Sequence, residues 1–315
     1  MKPEPGQRKL KLSLLRALLA VCDSRFNVSK AARAEHATQP SISRKVLELE
    51  HAVGQPIFIR RGRRFSGLTA LGREVTDEAR TVLMKCDNIM RLGESHRRGK
   101  PGGDLRVATT HTQARYVLPK IVRDFRATYP GIGLHITQGS PAQLVRQMED
   151  NLADLAICTE ALEHNASLRV VDSYRWNRVL IVRPEHSLAK ARKMTLQLLA
   201  AHPLITYAHG FTGRDAFDDA FARAGVQPRV MMSAADADVI KAYVRLGIGA
   251  GVVAAMAFDE KDDADLAKRP LDDLFPQMRV RIAYHREKFV SEAMGYFIDL
   301  FQSRVTGKES KAGKK

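Results

Sequence analysis

The 315-residue sequence contains only three cysteines, Cys22, Cys86 and Cys158, far apart in the chain and never at metal-ligand spacing. That usage fits a reducing cytoplasm, with each thiol a small buried hydrophobe. No apolar run approaches the ~18 residues needed to span a bilayer, so no membrane partner is expected. The N-terminus MKPEPGQRKLKL is basic, but it lacks the continuous apolar stretch and small-residue cleavage site of a secretory signal. No HExxH, GxSxG or P-loop pattern occurs, and His111 has no partner at catalytic or metal spacing in the sequence. GIGAG at 247–251 precedes an apolar strand where a dinucleotide loop would follow one, so it reads as a tight turn. Neither enzyme activity, cofactor nor metal is expected.

What the chain has in excess is positive charge. It carries 51 Lys and Arg against 35 Asp and Glu, a net +16. The excess is uneven. Residues 1–100 hold 21 basic against 10 acidic side chains, 101–303 hold 25 against 24, and the tail from Arg304 holds 5 against 1. A polyanion partner for the first hundred residues follows more directly than a membrane. Apolar residues make up 44% of the chain, enough for a small domain and a larger one.

Phe26 to Phe58 reads as a helix–turn–helix. Ala31, Ala32 and Ala34 form a short helix of small residues behind Ser29, a candidate N-cap; His36 and Ala37 make the turn. Thr38 can cap the next helix, with Pro40 in its first turn, where a missing N–H costs nothing. Ile42, Val46, Leu49 and Val53 then form one apolar stripe. The other face presents Gln39, Ser41, Ser43, Arg44 and Lys45, groups that reach base edges and grip phosphate. Ser29, Thr38 and Pro40 complete the DNA-contact candidates of this segment. Two short extended runs around Gly62 follow, with Arg60, Arg61, Arg63 and Arg64 at the turn, as a β-hairpin wing would show.

Thr69 opens a long helix, Ala70 to His96. Leu68, Val75, Val82 and Ile89 recur every seven residues, each followed by a small residue: Gly72, Ala79, Cys86, Gly93. A bulky-and-small seam suits a close helix pair, and the length and isolation of the helix favour a dimer; a helix packed only on its own domain is the competing reading. RRGKPGGD is a linker. From Asp104, short apolar strands alternate with helical segments, which argues α/β with mostly parallel sheets. VRIAY and the last helix can return to the first sheet, making two lobes with a cleft. Ligands in such sheets bind beyond the strand ends, at helix N-termini. There the sequence places Thr109, Thr110, His111, Thr112 and Gln113, then Gly139 and Ser140, then Thr159, then Gly210 to Gly213, with little fixed charge. Trp176 sits beside Asn177 and Arg178 near the inter-lobe crossover.

Together these residues resemble the LysR-type transcriptional regulators over essentially the whole chain. TQPSISRKVLELE is similar to that family's recognition helix and FIRRGRRFSGLTALG to its wing. The strings ATTHTQARYVLP, QGSPAQLV, TEALEH, WNR, GFTGR and DADVIKAYVRLGIGAGV are similar to the CysB group of sulfur-assimilation regulators. The resemblance implies a winged helix–turn–helix over 1–68, a linker and dimerisation helix over 69–97, and a two-lobed, periplasmic-binding-protein-like α/β effector domain over 103–303. Lobe 1 is expected over about 103–171 and 279–303, lobe 2 over about 172–278, and a basic disordered tail over 304–315. It further implies a cytoplasmic homotetramer on operator DNA, with RNA polymerase a further expected partner. The implied effector is a small anion: sulfate, O-acetylserine, N-acetylserine or a related sulfur metabolite. Its implied contacts are Thr110, Thr112, Gln113, Ser140, Thr159, Trp176 and Thr212. Ala208, His209 and Ala235 depart from the group's pattern and bear on which inducer fits. The two-lobed half alone would also suit a solute-binding protein, which the helix–turn–helix disfavours; a LysR-type regulator of an unrelated pathway stays open.

Overall fold

A computed structural model describes residues 10–62, 64–95, 102–211 and 213–306. Residues 1–9, Arg63, residues 96–101 (His96 of the expected long helix and most of the linker), Thr212 and the tail from 307 lie outside the described residues. The chain divides into two units after Gly93.

In the first unit, α1 (Leu12–Asp23) buries Leu14, Leu15, Leu18 and Val21 against α2 (Val28–Ala34) and α3 (Gln39–Val53). The helix–turn–helix reading did not include α1, although its i, i+3, i+4 apolar spacing is plain. Asn27, not Ser29, caps α2: its carboxamide accepts the Lys30 N–H at 2.9 Å, and Ser29 already lies inside the helix. Thr38 caps α3 as expected, accepting from the Ser41 N–H at 3.4 Å. Ile42, Val46 and Leu49 are buried on the stripe, each contributing roughly 1.5–3 kcal/mol.

Strands β1 (Phe58–Arg61) and β2 (Arg64–Leu68) form the expected antiparallel wing, with Gly62 at φ +61° in its turn. α4 (Ala70–Ser95) starts beneath it. Thr69 Oγ1 accepts the Gly72 N–H at 2.9 Å, and a Cβ on Gly72 would overlap the Ile57 carbonyl oxygen. Ala79 is buried in the same core as Ile42 and Phe58. The proposed small-residue seam is therefore corrected at Gly72 and Ala79: both pack inside their own unit, because α4 must approach the wing closely. Exposed apolar side chains on α4 come later, at Val82, Ile89, Met90 and Leu92.

The second unit holds two five-stranded sheets. The first has the order β4 (Gly133–Gln138), β3 (Asp104–Thr109), β5 (Leu155–Cys158), β12 (Met278–His285), β6 (Leu168–Trp176). Helices α5 (Leu118–Thr128), α6 (Pro141–Glu149) and α10 (Glu292–Thr306) accompany it. The second has the order β11 (Ala267–Pro270), β7 (Arg178–Val182), β10 (Ala250–Ala254), β8 (Leu204–Tyr207), β9 (Val230–Ala234), with α7 (Leu196–Ala200), α8 (Arg214–Arg223) and α9 (Ala237–Arg245). Only β3–β4, β3–β5, β8–β9 and β8–β10 pair in parallel; the other pairings are antiparallel. β12 does return to the first sheet.

Three boundaries differ from the sequence reading. β6 continues beside β12 as far as Trp176, so the crossover falls at Asn177 and not at 171/172. β12 begins at Met278. α10 runs through 304–306, which the reading gave to the tail. β6 and β11 are edge strands whose polar positions hid them. No helix among the described residues is long and apolar enough to cross a membrane.

Because Ala79 sits in the unit's own core, Ala79→Leu overpacks it. We expect a loss of about 1–3 kcal/mol in thermal or urea unfolding of the N-terminal transition, whether or not the assembly changes in sedimentation.

Candidate functional site: a DNA-facing helix and an inter-lobe cleft

On α3, Gln39 and Arg44 are exposed, and Ser41, Ser43 and Lys45 partly so. Ser29 Oγ donates to Gln39 Oε1 at 3.1 Å, which orients the amide across the helix–helix corner. Pro40 is exposed in the first turn. Glu50, which the sequence reading passed over, joins this helix to the wing: Oε1 accepts the N–H groups of Ile57 (3.0 Å) and Phe58 (3.1 Å), and Oε2 pairs with Arg60. Arg60 also lies over the Phe65 ring at 5.0 Å. It is thus less free for phosphate than its neighbours. Arg61 and Arg64 are exposed and face each other in register across the hairpin. Like charges directly opposite destabilise a strand pair, which a bound phosphate would relieve.

In the second unit the lobes meet at the end of β3. Thr109 is turned away, donating to the Ile157 carbonyl at 2.9 Å. Thr110, Thr112 and Gln113 are buried where the chain enters a wide five-residue turn, Gln113–Val117, a π-type irregularity of a kind frequent at functional sites. Gln113 Oε1 accepts from the Tyr174 hydroxyl at 2.8 Å, leaving its amide nitrogen toward Met256 Sδ at 3.8 Å in lobe 2. Thr159 Oγ1 accepts the Trp176 indole N–H at 3.2 Å. Ser140 does not join this group in chemistry: its hydroxyl and N–H complete a capping box with Gln143 on α6. Thr212 lies outside the described residues, between Phe211 and Gly213.

Arg178 alters the expectation of a cleft with little fixed charge. It is 3% exposed, lies over the Trp176 ring at 5.4 Å and the Phe275 ring at 5.3 Å, and donates through Nη2 to the Gly213 carbonyl at 2.5 Å. Gly213 holds φ +71°, and a Cβ there would overlap the guanidinium. Burial draws the Arg178 pKa down to about 10, against the pull of Glu160 and Tyr207, so the cation persists at neutral pH. Burial raises the Glu160 carboxyl, as does the charge of Asp215; Arg178 and the Gly213 N–H oppose this.

Tyr207, fully interior, links the two halves. Its hydroxyl accepts the Ala254 N–H at 3.2 Å, and Ala254 is the strand partner of Arg178. Burial raises its pKa, countered by Ala254, Thr112 and Arg178. The Thr112 hydroxyl lies against this phenol without a hydrogen bond of good geometry. Thr112 Oγ1 and Arg178 Nη1 are both buried, and neither has a hydrogen-bond partner among the described residues.

His111, Asp236 and Asp238 bring ligating atoms within 4.8 Å of one another across the lobes, a proximity invisible in the sequence. Arg115 and Lys241 already balance Asp238, and we assign no metal there. A cavity of about 600 Å³ between Thr195–Gln197 and Arg269–Leu274 shares no residue with the cleft.

Residues 12–73 match the model of the bacterial regulatory helix-turn-helix protein, lysR family, and residues 98–306 match the LysR substrate binding domain. The chain belongs to the LysR family. It is similar to the HTH-type transcriptional regulator CysB of Haemophilus influenzae, 39% identical with 94% of this chain and 91% of that protein covered. It is similar to the HTH-type transcriptional regulator SsuR of Burkholderia cenocepacia, 37% identical with 90% and 92% covered. The cofactor-binding domain of the Cbl transcriptional regulator superposes with a TM-score of 0.62 at 35% identity, over 68% of this chain and 97% of that domain. This LysR protein is a DNA-binding transcription regulator of sulfur metabolism and not an enzyme.

Trp176 is the only tryptophan, and Arg178 lies over it. Gly213→Ala should displace the guanidinium. We expect a shifted Trp176 emission in the free protein and loss of any emission change that an added anion produces in the parent.

Proposed function

We propose that this regulator senses a small oxyanion or carboxylate held between its lobes, with sulfate, O-acetylserine and N-acetylserine the leading candidates. The observation that carries this reading is a pair of buried donors, Thr112 Oγ1 on lobe 1 and Arg178 Nη1 on lobe 2, that have no hydrogen bond of good geometry among the described residues and that both act on Tyr207. A buried cation is costly unless it is paired, and an anion between the lobes would satisfy both groups at once. Thr110, Gln113 and Thr159 add donors around them, Trp176 walls the site, and Thr212 joins them on the family resemblance. Ser140 caps α6 and is the weaker candidate.

The proposed operator contacts are Gln39, Ser41, Ser43, Arg44 and Lys45 on α3, supported at the corner by Ser29, Thr38 and Pro40, with Arg61, Arg63 and Arg64 on the wing. A cytoplasmic homotetramer is the assembly this reading implies, and Val82, Ile89, Met90 and Leu92 offer apolar surface for a helix partner.

Thr112→Val keeps shape and removes one hydroxyl. Calorimetry with sulfate should show a loss of roughly 1.5–3 kcal/mol, and Arg178→Met should bring binding below detection. Parent-like affinity in both variants would place the effector elsewhere.

For DNA, affinity should fall steeply with salt. Arg44→Ala should cost about 1–3 kcal/mol at specific sites if it reads a guanine, and weaken all sequences alike if it holds phosphate. Unchanged operator affinity after replacing both Arg44 and Lys45 rejects α3 as the reading helix.

A further inference from the structure

We propose that Asp238 is a positioning residue for the effector, acting across the lobes through the turn that carries the anion donors. The proposal rests on the cleft reading above and names how that site is regulated. The Gln113–Val117 turn has two ends. Thr112 and Gln113 lie at the cleft end. At the other, the Tyr116 hydroxyl donates to Asp238 Oδ1 at 2.6 Å and Arg115 Nε donates to Oδ2 at 3.2 Å. The Tyr116 ring, carried by lobe 1, packs against the lobe 2 core and lies beneath Lys241 Nζ, 5.1 Å from the ring centre.

The lobe 2 side of this contact is stiff. Asp236 caps α9, accepting the Val239 N–H at 2.9 Å. Lys241 is buried and held by Asp263 at 3.0 Å and by the Ala257 carbonyl at 3.0 Å. Burial alone would raise the Asp238 pKa, but Tyr116, Lys241 and Arg115 hold it below the usual carboxylate value, so it remains an anion at neutral pH.

The lobe 1 side is a π-type turn, an expanded hydrogen-bond pattern frequent at functional sites, which leads into α5. Fixing its far end to α9 holds Thr112 and Gln113 toward Tyr207 and Arg178. Release of Asp238 lets the donors diverge from the guanidinium, so the anion and the Asp238 contact favour the same lobe arrangement and reinforce each other.

The test uses the full chain with Tyr116→Phe, which keeps the ring in place, with Asp238→Asn, and with both. Sulfate affinity is measured by calorimetry, and amide exchange is followed over 110–118 and 237–245. Each single variant should bind sulfate about 3- to 10-fold more weakly, and the double variant little worse than either, as expected for two halves of one contact. Tyr116→Phe should raise exchange in 237–245 of the opposite lobe, Asp238→Asn should raise it in 110–118, and saturating sulfate should restore protection in both. Parent-like exchange in the opposite lobe for both variants overturns the proposal whatever sulfate does. A parent protein that binds neither sulfate nor an acetylserine overturns the cleft reading instead, and the exchange measurements still decide the role of Asp238.

Discussion

A guanidinium taken out of water at the lobe crossover constrains much of the second unit. Arg178 begins β7 directly after the crossover at Asn177, so its position is tied to both sheets at once. Its cost of burial is met in part by aromatic faces on two sides and by one carbonyl, which explains why Gly213 has no side chain and adopts a left-handed conformation. The strand partner Ala254 then places the Tyr207 phenol, and Tyr207 meets the Thr112 end of lobe 1. One buried charge thereby brings the first residue of β7, the start of α8 and the end of β3 into a single environment.

Apart from α1 and the α2 cap, the first unit was legible because its periodicities are local. The α3 stripe, the Thr38 cap, Pro40 and the wing glycine each follow from residues within a few positions of one another. The second unit was legible in its strand–helix alternation, but less so in pairing. β6 and β11 lie at sheet edges with polar exposed positions, and nothing local marks them as strands. The seam on α4 shows the limit of a repeat: Gly72 and Ala79 fit a helix partner by spacing, yet the nearer wing backbone and core take them.

The candidate cleft was legible as a set of hydroxyls and amides at strand ends, and the structure brings Thr110, Thr112 and Gln113 to one turn and Thr159 to Trp176. What the sequence hid were the groups whose meaning depends on distant neighbours. Arg178 stands beside Trp176 in the sequence, but nothing local marks it as buried, and Tyr207 reads as an ordinary strand residue. Asp238 lies 122 positions from Tyr116. Ser140 shows the limit of local reading, since a capping serine and a ligand serine have the same signature, and the structure displays its capping role.

The carboxylate of Glu50 has a consequence beyond the wing it anchors. It takes two backbone N–H groups at the base of β1 while sitting on α3, so the helix and the hairpin move as a single body. The angle between the exposed polar face of α3 and the cross-strand arginines Arg61 and Arg64 is then set by the protein itself. If α3 and the wing contact DNA as proposed above, a duplex would have to supply the groove width that this angle demands, either intrinsically or by deforming. Under that reading, sequences flanking the contacted bases would be discriminated by their stiffness, at positions that no side chain touches.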